Sequence, residues 1–219
     1  LVMKKIILSL VSALFLFSTA SAEIGVNIGL SGTTGLFAAT GSEEQTGEKT
    51  DKHQDSEIGA GAWGSIFFEK ELGRFAIGVD YVSDVFSTDT VETQMTDKRT
   101  ENSDTATSGV NSVQVDFEDL TTLYATFNVT DTLYVKAGMS SVEVITNESL
   151  NTGSSYGNTT IDGSSIGIGY NMDMDNGLFV RAEGNYMSFD GASLTSNDNT
   201  IKLKNLDGVT ATLSVGKSF

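Results

Sequence analysis

Apolar and polar side chains alternate with a period of two in run after run along this chain, the mark of strands with one apolar and one polar face. The first run sets Ile24, Val26, Ile28 and Leu30 against Gly25, Asn27, Gly29 and Ser31. A second places Ile58, Ala60, Ala62, Gly64, Ile66 and Phe68 on one face, with Trp63 and Phe67 on the other. Phe75, Ile77, Val79 and Tyr81 make the third. Leu123, Ala125, Phe127 and Val129 make the fourth, and its upstream stretch Val113, Val115 and Phe117 keeps the same phase. Runs at 133–139, 166–172, 178–186 and 209–215 complete a set of eight. Each has about the length that a tilted strand needs to cross a bilayer.

The connections sort by length. Runs two and three are joined by 69–74, four and five by 130–132, and six and seven by 173–177, all short and rich in Asp, Asn, Gly and Thr. The other four links, at 39–57, 88–111, 147–160 and 190–208, are long and polar. The last has room for a hairpin of its own, since Ile201 and Leu203 alternate with Lys202 and Lys204 before Asp207 and Gly208. Short turns at one end with long loops at the other predict an all-β fold. That fold is a single antiparallel up-and-down transmembrane β-barrel of eight strands, with ten as the alternative count. A soluble sandwich has no reason to sort its loops in this way.

Composition changes the picture at the amino terminus. Lys4 and Lys5, an apolar run over 6–17 and the small residues Ala20, Ser21 and Ala22 predict a cleavable secretory signal peptide over 1–22, leaving a barrel domain over 23–219. The apolar run is too short to span a membrane as a helix. Without Lys4 and Lys5, 11 basic side chains face 29 acidic ones, a net charge near −18 that excludes nucleic acid as a partner. The chain has no cysteine, which rules out disulfides and thiolate–zinc chemistry, and no proline, which suits an uninterrupted ladder. No cofactor is expected.

The polar faces carry both signs of charge: Asp80, Lys136, Arg181 and Glu183. In a narrow barrel these must pair, because an unpaired charge away from water is costly. Eight strands enclose a space that side chains can fill, so the four are expected to form a polar network plugging the lumen. Phe68, Phe75, Phe127 and Phe219 fall near the short-turn ends, and Tyr81 and Tyr186 toward the other, as in an aromatic girdle.

The last eleven residues, 209–219, alternate outward apolar with inward small polar side chains and end in Phe219. This stretch resembles the carboxy-terminal signal of bacterial outer-membrane proteins, with Val215 and Phe219 as its apolar positions and Lys217 as a departure from it. With the leader and the loop asymmetry, the chain resembles the small OmpA/OmpX/OmpW-type barrels. The resemblance implies residence in the bacterial outer membrane with both termini periplasmic. It also implies outer-membrane lipids and lipopolysaccharide as surroundings, with the barrel assembly machinery and periplasmic chaperones as partners during biogenesis.

Three sequence motifs are matched and discounted. Gly59-Ala-Gly61-Ala62-Trp63-Gly64 fits a dinucleotide fingerprint, but within an alternating run and with no helix following. Gly163-Ser164-Ser165-Ile166-Gly167 fits a hydrolase elbow, yet the single histidine, His53, lies in a long polar link. Asp173, Asp175 and Gly177 lack the spacing of a calcium loop. No catalytic or metal-binding residue is therefore expected. Acidic side chains crowd the first two long links (Glu43, Glu44 and Glu48; Asp89, Glu92 and Asp97), where they form a solvated surface open to an extracellular ligand of unknown kind. The expected function is a structural or surface-interaction barrel that is not an enzyme. A small porin is the alternative, and a barrel-embedded lipid hydrolase built on Ser165 and His53 a third reading.

Overall fold

The computed structural model describes residues 25–45, 52–98, 106–150, 155–196 and 199–219. The leader expected over 1–22 lies outside them. Ten strands follow one another: β1 (Val26–Gln45), β2 (Lys52–Leu72), β3 (Phe75–Ser87), β4 (Val91–Lys98), β5 (Ala106–Asn128), β6 (Leu133–Ser149), β7 (Thr159–Asp173), β8 (Leu178–Phe189), β9 (Ala192–Ser196) and β10 (Asn199–Ser218). Eight of them, all but β4 and β9, form one antiparallel wall that closes when β10 pairs with β1. β4 lies only against β5 and β9 only against β10, so both are hairpin arms beyond the closed barrel. The hairpin foreseen before Asp207 is the β9–β10 pair.

The pairing fixes the barrel's dimensions. A path along hydrogen-bonded rows runs from Gly59 on β2 through Phe37, Gly208, Met187, Ser165, Gly138, Tyr124 and Gly78. It returns to β2 at Glu69, ten residues further along. Eight strands with that stagger tilt by about 40° and form a cylinder of about 8 Å backbone radius. Such a cylinder holds its own inward side chains and leaves no bore.

The outward face is apolar all the way round. Leu30, Ile58, Met139, Ile166 and Leu213 expose 61–80% of their surface, and Leu36 and Val209 55% and 56%. Projected along tilted strands, the band from Leu72 and Phe219 up to Leu36 and Val209 is roughly 25 Å tall, the height of a bilayer's hydrocarbon layer. At its short-turn edge Phe75 and Phe127 pack with centroids 4.8 Å apart, Arg74 lies over Phe127 at 5.1 Å, and Lys217 lies over Phe219 at 5.3 Å. At the opposite edge Tyr81 donates to Asp119 at 2.6 Å, and Tyr186 to Asp207 at 2.9 Å. Phe219 also closes the seam. Its amide donates to the Val26 carbonyl at 2.9 Å, and the Val26 amide donates back at 3.3 Å.

The link from β2 to β3 is shorter than expected: Gly73 and Arg74 alone form it, with Gly73 at φ 70. The long links shrink as well. Strand continues to Gln45 and resumes at Lys52, and β4, β9 and the first residues of β5 and β10 fall inside stretches read as loop. Beyond the membrane both faces of a strand meet water, so cross-strand hydrogen bonds persist where apolar periodicity does not.

One phase assignment is overturned. Val115 and Phe117 do not share the outward face of Leu123 and Ala125; they pack inside the barrel against its apolar core. A bulge at Asp119, with φ 54 and a register shift between Glu118 and Thr121, inserts one residue and reverses the faces above it. Further shifts lie between Asp84 and Phe86 on β3 and between Ala39 and Gly41 on β1. The long-loop half of the interior is apolar, built on Phe37, Val82, Leu120, Val142, Met187 and Phe189, which continue the inward phase of the strand halves below them. The expectation of a polar lumen holds only for the short-turn half.

Candidate functional site in the barrel lumen

Three layers fill the cylinder. The lowest is a hydrogen-bonded floor centred on Glu69, which is 1% exposed. Arg181 grips both its oxygens, Nη1 to Oε2 at 2.9 Å and Nη2 to Oε1 at 2.8 Å. Asn27 donates to Oε1 at 2.9 Å and the Tyr124 hydroxyl to Oε2 at 3.2 Å. Arg181 Nε donates to Asn171 Oδ1 at 3.0 Å, and the guanidinium lies over Phe179 at 4.5 Å. A bidentate pair whose three guanidinium nitrogens each donate a hydrogen bond is the arrangement in which a buried charge pair is tolerated.

Just above the floor, Lys136 donates to Glu183 Oε2 at 2.9 Å, and the Tyr134 hydroxyl donates to Oε1. The Lys136 ammonium also sits 4.2 Å from the centre of the Tyr124 ring. Asp80, from β3, accepts from Ser65 Oγ at 2.8 Å. Of the four lumen charges read from the sequence, Lys136 and Glu183 are brought together. Arg181 pairs instead with Glu69, and Asp80 is bound by a hydroxyl. Glu69 was assigned to the turn over 69–74. Continuing the β2 phase two residues past Phe67, an inward residue, places it in the lumen.

The rings in these layers lie flat against neighbouring strands because those strands carry glycine where they cross. A Cβ on Gly78 would come 2.4 Å from Tyr124 Cζ, and one on Gly169 would come 2.1 Å from Tyr134 Cζ.

The middle layer is a chamber of about 60 Å³, bounded below by Phe67, Tyr124 and Arg181 and above by Trp63, Leu120 and Met187. A water needs roughly 10–15 Å³ on such a measure, so the chamber has room for several. Hydroxyls line its wall in cross-strand pairs: Ser31–Ser214 at 2.9 Å, Thr33–Thr212 at 2.9 Å and Thr122–Ser140 at 2.8 Å. The third layer is the apolar core, which lies between the chamber and the long loops.

The discounted motifs fall where chemistry cannot use them. Gly59 to Gly64 lie in mid-strand on β2, with no helix after them. Ser165 is buried on β7 against the chamber, and His53 lies on β2 six residues beyond Gly59, which shares a row with Ser165 around the wall. Asp173 ends β7 and accepts from Asn171 at 2.7 Å beside a 3-10 turn, Asp175–Gly177. Among the described residues no three carboxylate, imidazole or thiolate groups are placed to hold a metal ion. No helix among them is long and apolar enough to cross a membrane; the apolar band lies on strands.

A closed eight-strand antiparallel wall with an apolar outer band, aromatic edges and a filled polar and apolar interior has the architecture of an outer-membrane β-barrel. The outer-membrane protein OprG of Pseudomonas aeruginosa superposes with a TM-score of 0.55 at 10% identity, over 91% of this chain and 98% of that one. The outer-membrane protease OmpT of Escherichia coli gives 0.48 at 12% identity over 92% and 99%, and the neisserial surface protein NspA 0.40 at 12% over 86% and 97%. At 0.55 and 10% identity the first likeness shows a shared fold, and no argument rests on the other two. No protein-family model matches the chain, and no curated protein matches it.

Proposed function

We propose that this chain resides in the bacterial outer membrane with both termini and the short turns on the periplasmic side. In that reading it works through its outer face and long-loop surface and not by passage through its interior. The observation that carries the proposal is the filled lumen. The Glu69–Arg181 floor lies below the chamber and the apolar core around Phe37 and Leu120 lies above it, inside a wall of about 8 Å radius. Its surroundings would be outer-membrane lipids and lipopolysaccharide. Val215 and Phe219 would serve the barrel assembly machinery during biogenesis, after export by the leader over 1–22. The reading includes no catalytic role: the mid-wall position of Ser165 gives a lipid substrate no approach to it.

Liposome swelling tests this directly. Vesicles carrying the refolded chain should stay as impermeable to small sugars as protein-free vesicles. Swelling that scales with the amount of protein favours the small-porin reading, for which the chamber would be part of a wet path.

A further inference from the structure

The lumen's charges do not balance. Among the described side chains of the floor and the chamber, Glu69, Asp80 and Glu183 carry three negative charges, and Lys136 and Arg181 two positive ones. Glu69 is bound by Arg181 and Glu183 by Lys136, at 2.8 and 2.9 Å. Asp80 is the fifth group. Its Oδ2 accepts from Ser65, its carboxylate lines the chamber, and among the described residues none forms a salt bridge with it; Lys136, the cation acting on it, is already paired with Glu183. Within a wall that faces lipid, a surplus charge needs a counter-charge close by.

The chamber that Asp80 faces has the volume and the lining for one. Each hydroxyl of Ser31, Thr33, Thr212 and Ser214 carries two acceptor lone pairs, and each cross-strand pair uses only one of its four. The remainder, with a carboxylate oxygen and water, form an all-oxygen surface suited to a hard cation. Too few carboxylates converge for a divalent ion.

We propose that the chamber is a binding site for one monovalent alkali cation, held by Asp80 and by the Ser and Thr oxygens of β1 and β10. The cation neutralises the surplus carboxylate. It becomes part of the folded interior, and the site is independent of whether the barrel conducts.

The test is unfolding of the full refolded chain in detergent micelles at constant ionic strength, in sodium, in potassium and in the bulky cation N-methyl-D-glucamine. A ligand at ten times its Kd shifts the folded–unfolded equilibrium about tenfold. The urea midpoint should therefore rise in sodium or potassium for the wild type and be indifferent to the salt in Asp80→Asn. Crystals grown in thallium(I) supply a readout that needs no variant: an anomalous peak in the chamber beside Asp80. Wild-type midpoints that coincide in all three salts overturn the site and leave a proton as the neutralising charge. A sodium effect that survives in Asp80→Asn, or thallium(I) peaks only outside the barrel, overturns it as well.

Discussion

Glu69 and Arg181 meet across the floor from β2 and β8, strands that are not neighbours, so their bidentate contact ties opposite sides of the wall together. Removing one partner strands the other charge among aromatic rings, a loss of about 3–5 kcal/mol for a buried pair. Glu69→Ala should fall in that range in urea titrations followed by Trp63, the single tryptophan of the chain. The double variant Glu69→Leu/Arg181→Met should be more stable than either single change, because it leaves no unpaired charge. At Gly78, an added methyl would overlap the Tyr124 ring, whose hydroxyl also serves the floor. Gly78→Ala should therefore destabilise by about 1–3 kcal/mol, the usual cost of overpacking, whereas Gly32→Ala, which meets open space on the lipid side, should not. At this scale the sequence disclosed four of the five inward charges, missing Glu69, and it did not disclose which pair. Partners are set by the stagger of ten residues around the wall, which brings β2 opposite β8 and is invisible along the chain.

Strand phase was legible wherever one face met lipid and the other the lumen, as in β3, β6, β7, β8 and the lower half of β10. It failed on β5, where Asp119 inserts one residue and nothing in Val113, Val115 and Phe117 reveals that their face has reversed. Deleting Asp119 should restore the unbroken alternation and turn Val115 and Phe117 outward. The apolar core would lose them, so the deletion should lower the urea midpoint far more than Asp119→Gly, since glycine accepts the positive φ at no cost. A second feature belongs to β2 alone. Its ladder to β3 begins only at Ile66 opposite Tyr81, so above that row β2 is hydrogen-bonded to β1 but not to β3. Alternate amides over 58–65 should exchange with deuterium well before those of β8, which is paired along both edges. The arm β4 escaped sequence reading for a simpler reason, since Val91–Lys98 carries no apolar period to detect, whereas the alternation of Ile201 and Leu203 disclosed the β9–β10 hairpin.

At the level of the whole molecule, closure of eight strands explains the outer band, the filled interior and the terminal seam together. Every wall strand lies between two others, so heating must disrupt the entire cylinder at once. The folded chain should consequently migrate differently on gels before and after boiling; identical migration would count against a closed barrel. The loop asymmetry and the carboxy-terminal alternation made this architecture readable, because both follow from the bilayer's thickness and from the period of a strand. What occupies the lumen was half readable: the charged lower positions stood out, whereas the apolar residues that continue the same inward phase above them, such as Val82, Leu120 and Met187, were not singled out. The central claim is that these layers leave no continuous aqueous path, and planar-bilayer current recorded from the refolded full chain tests it most directly. The account predicts no discrete conductance steps for the wild type across a wide voltage range. Stable, voltage-independent open channels formed by the folded wild-type barrel would contradict it.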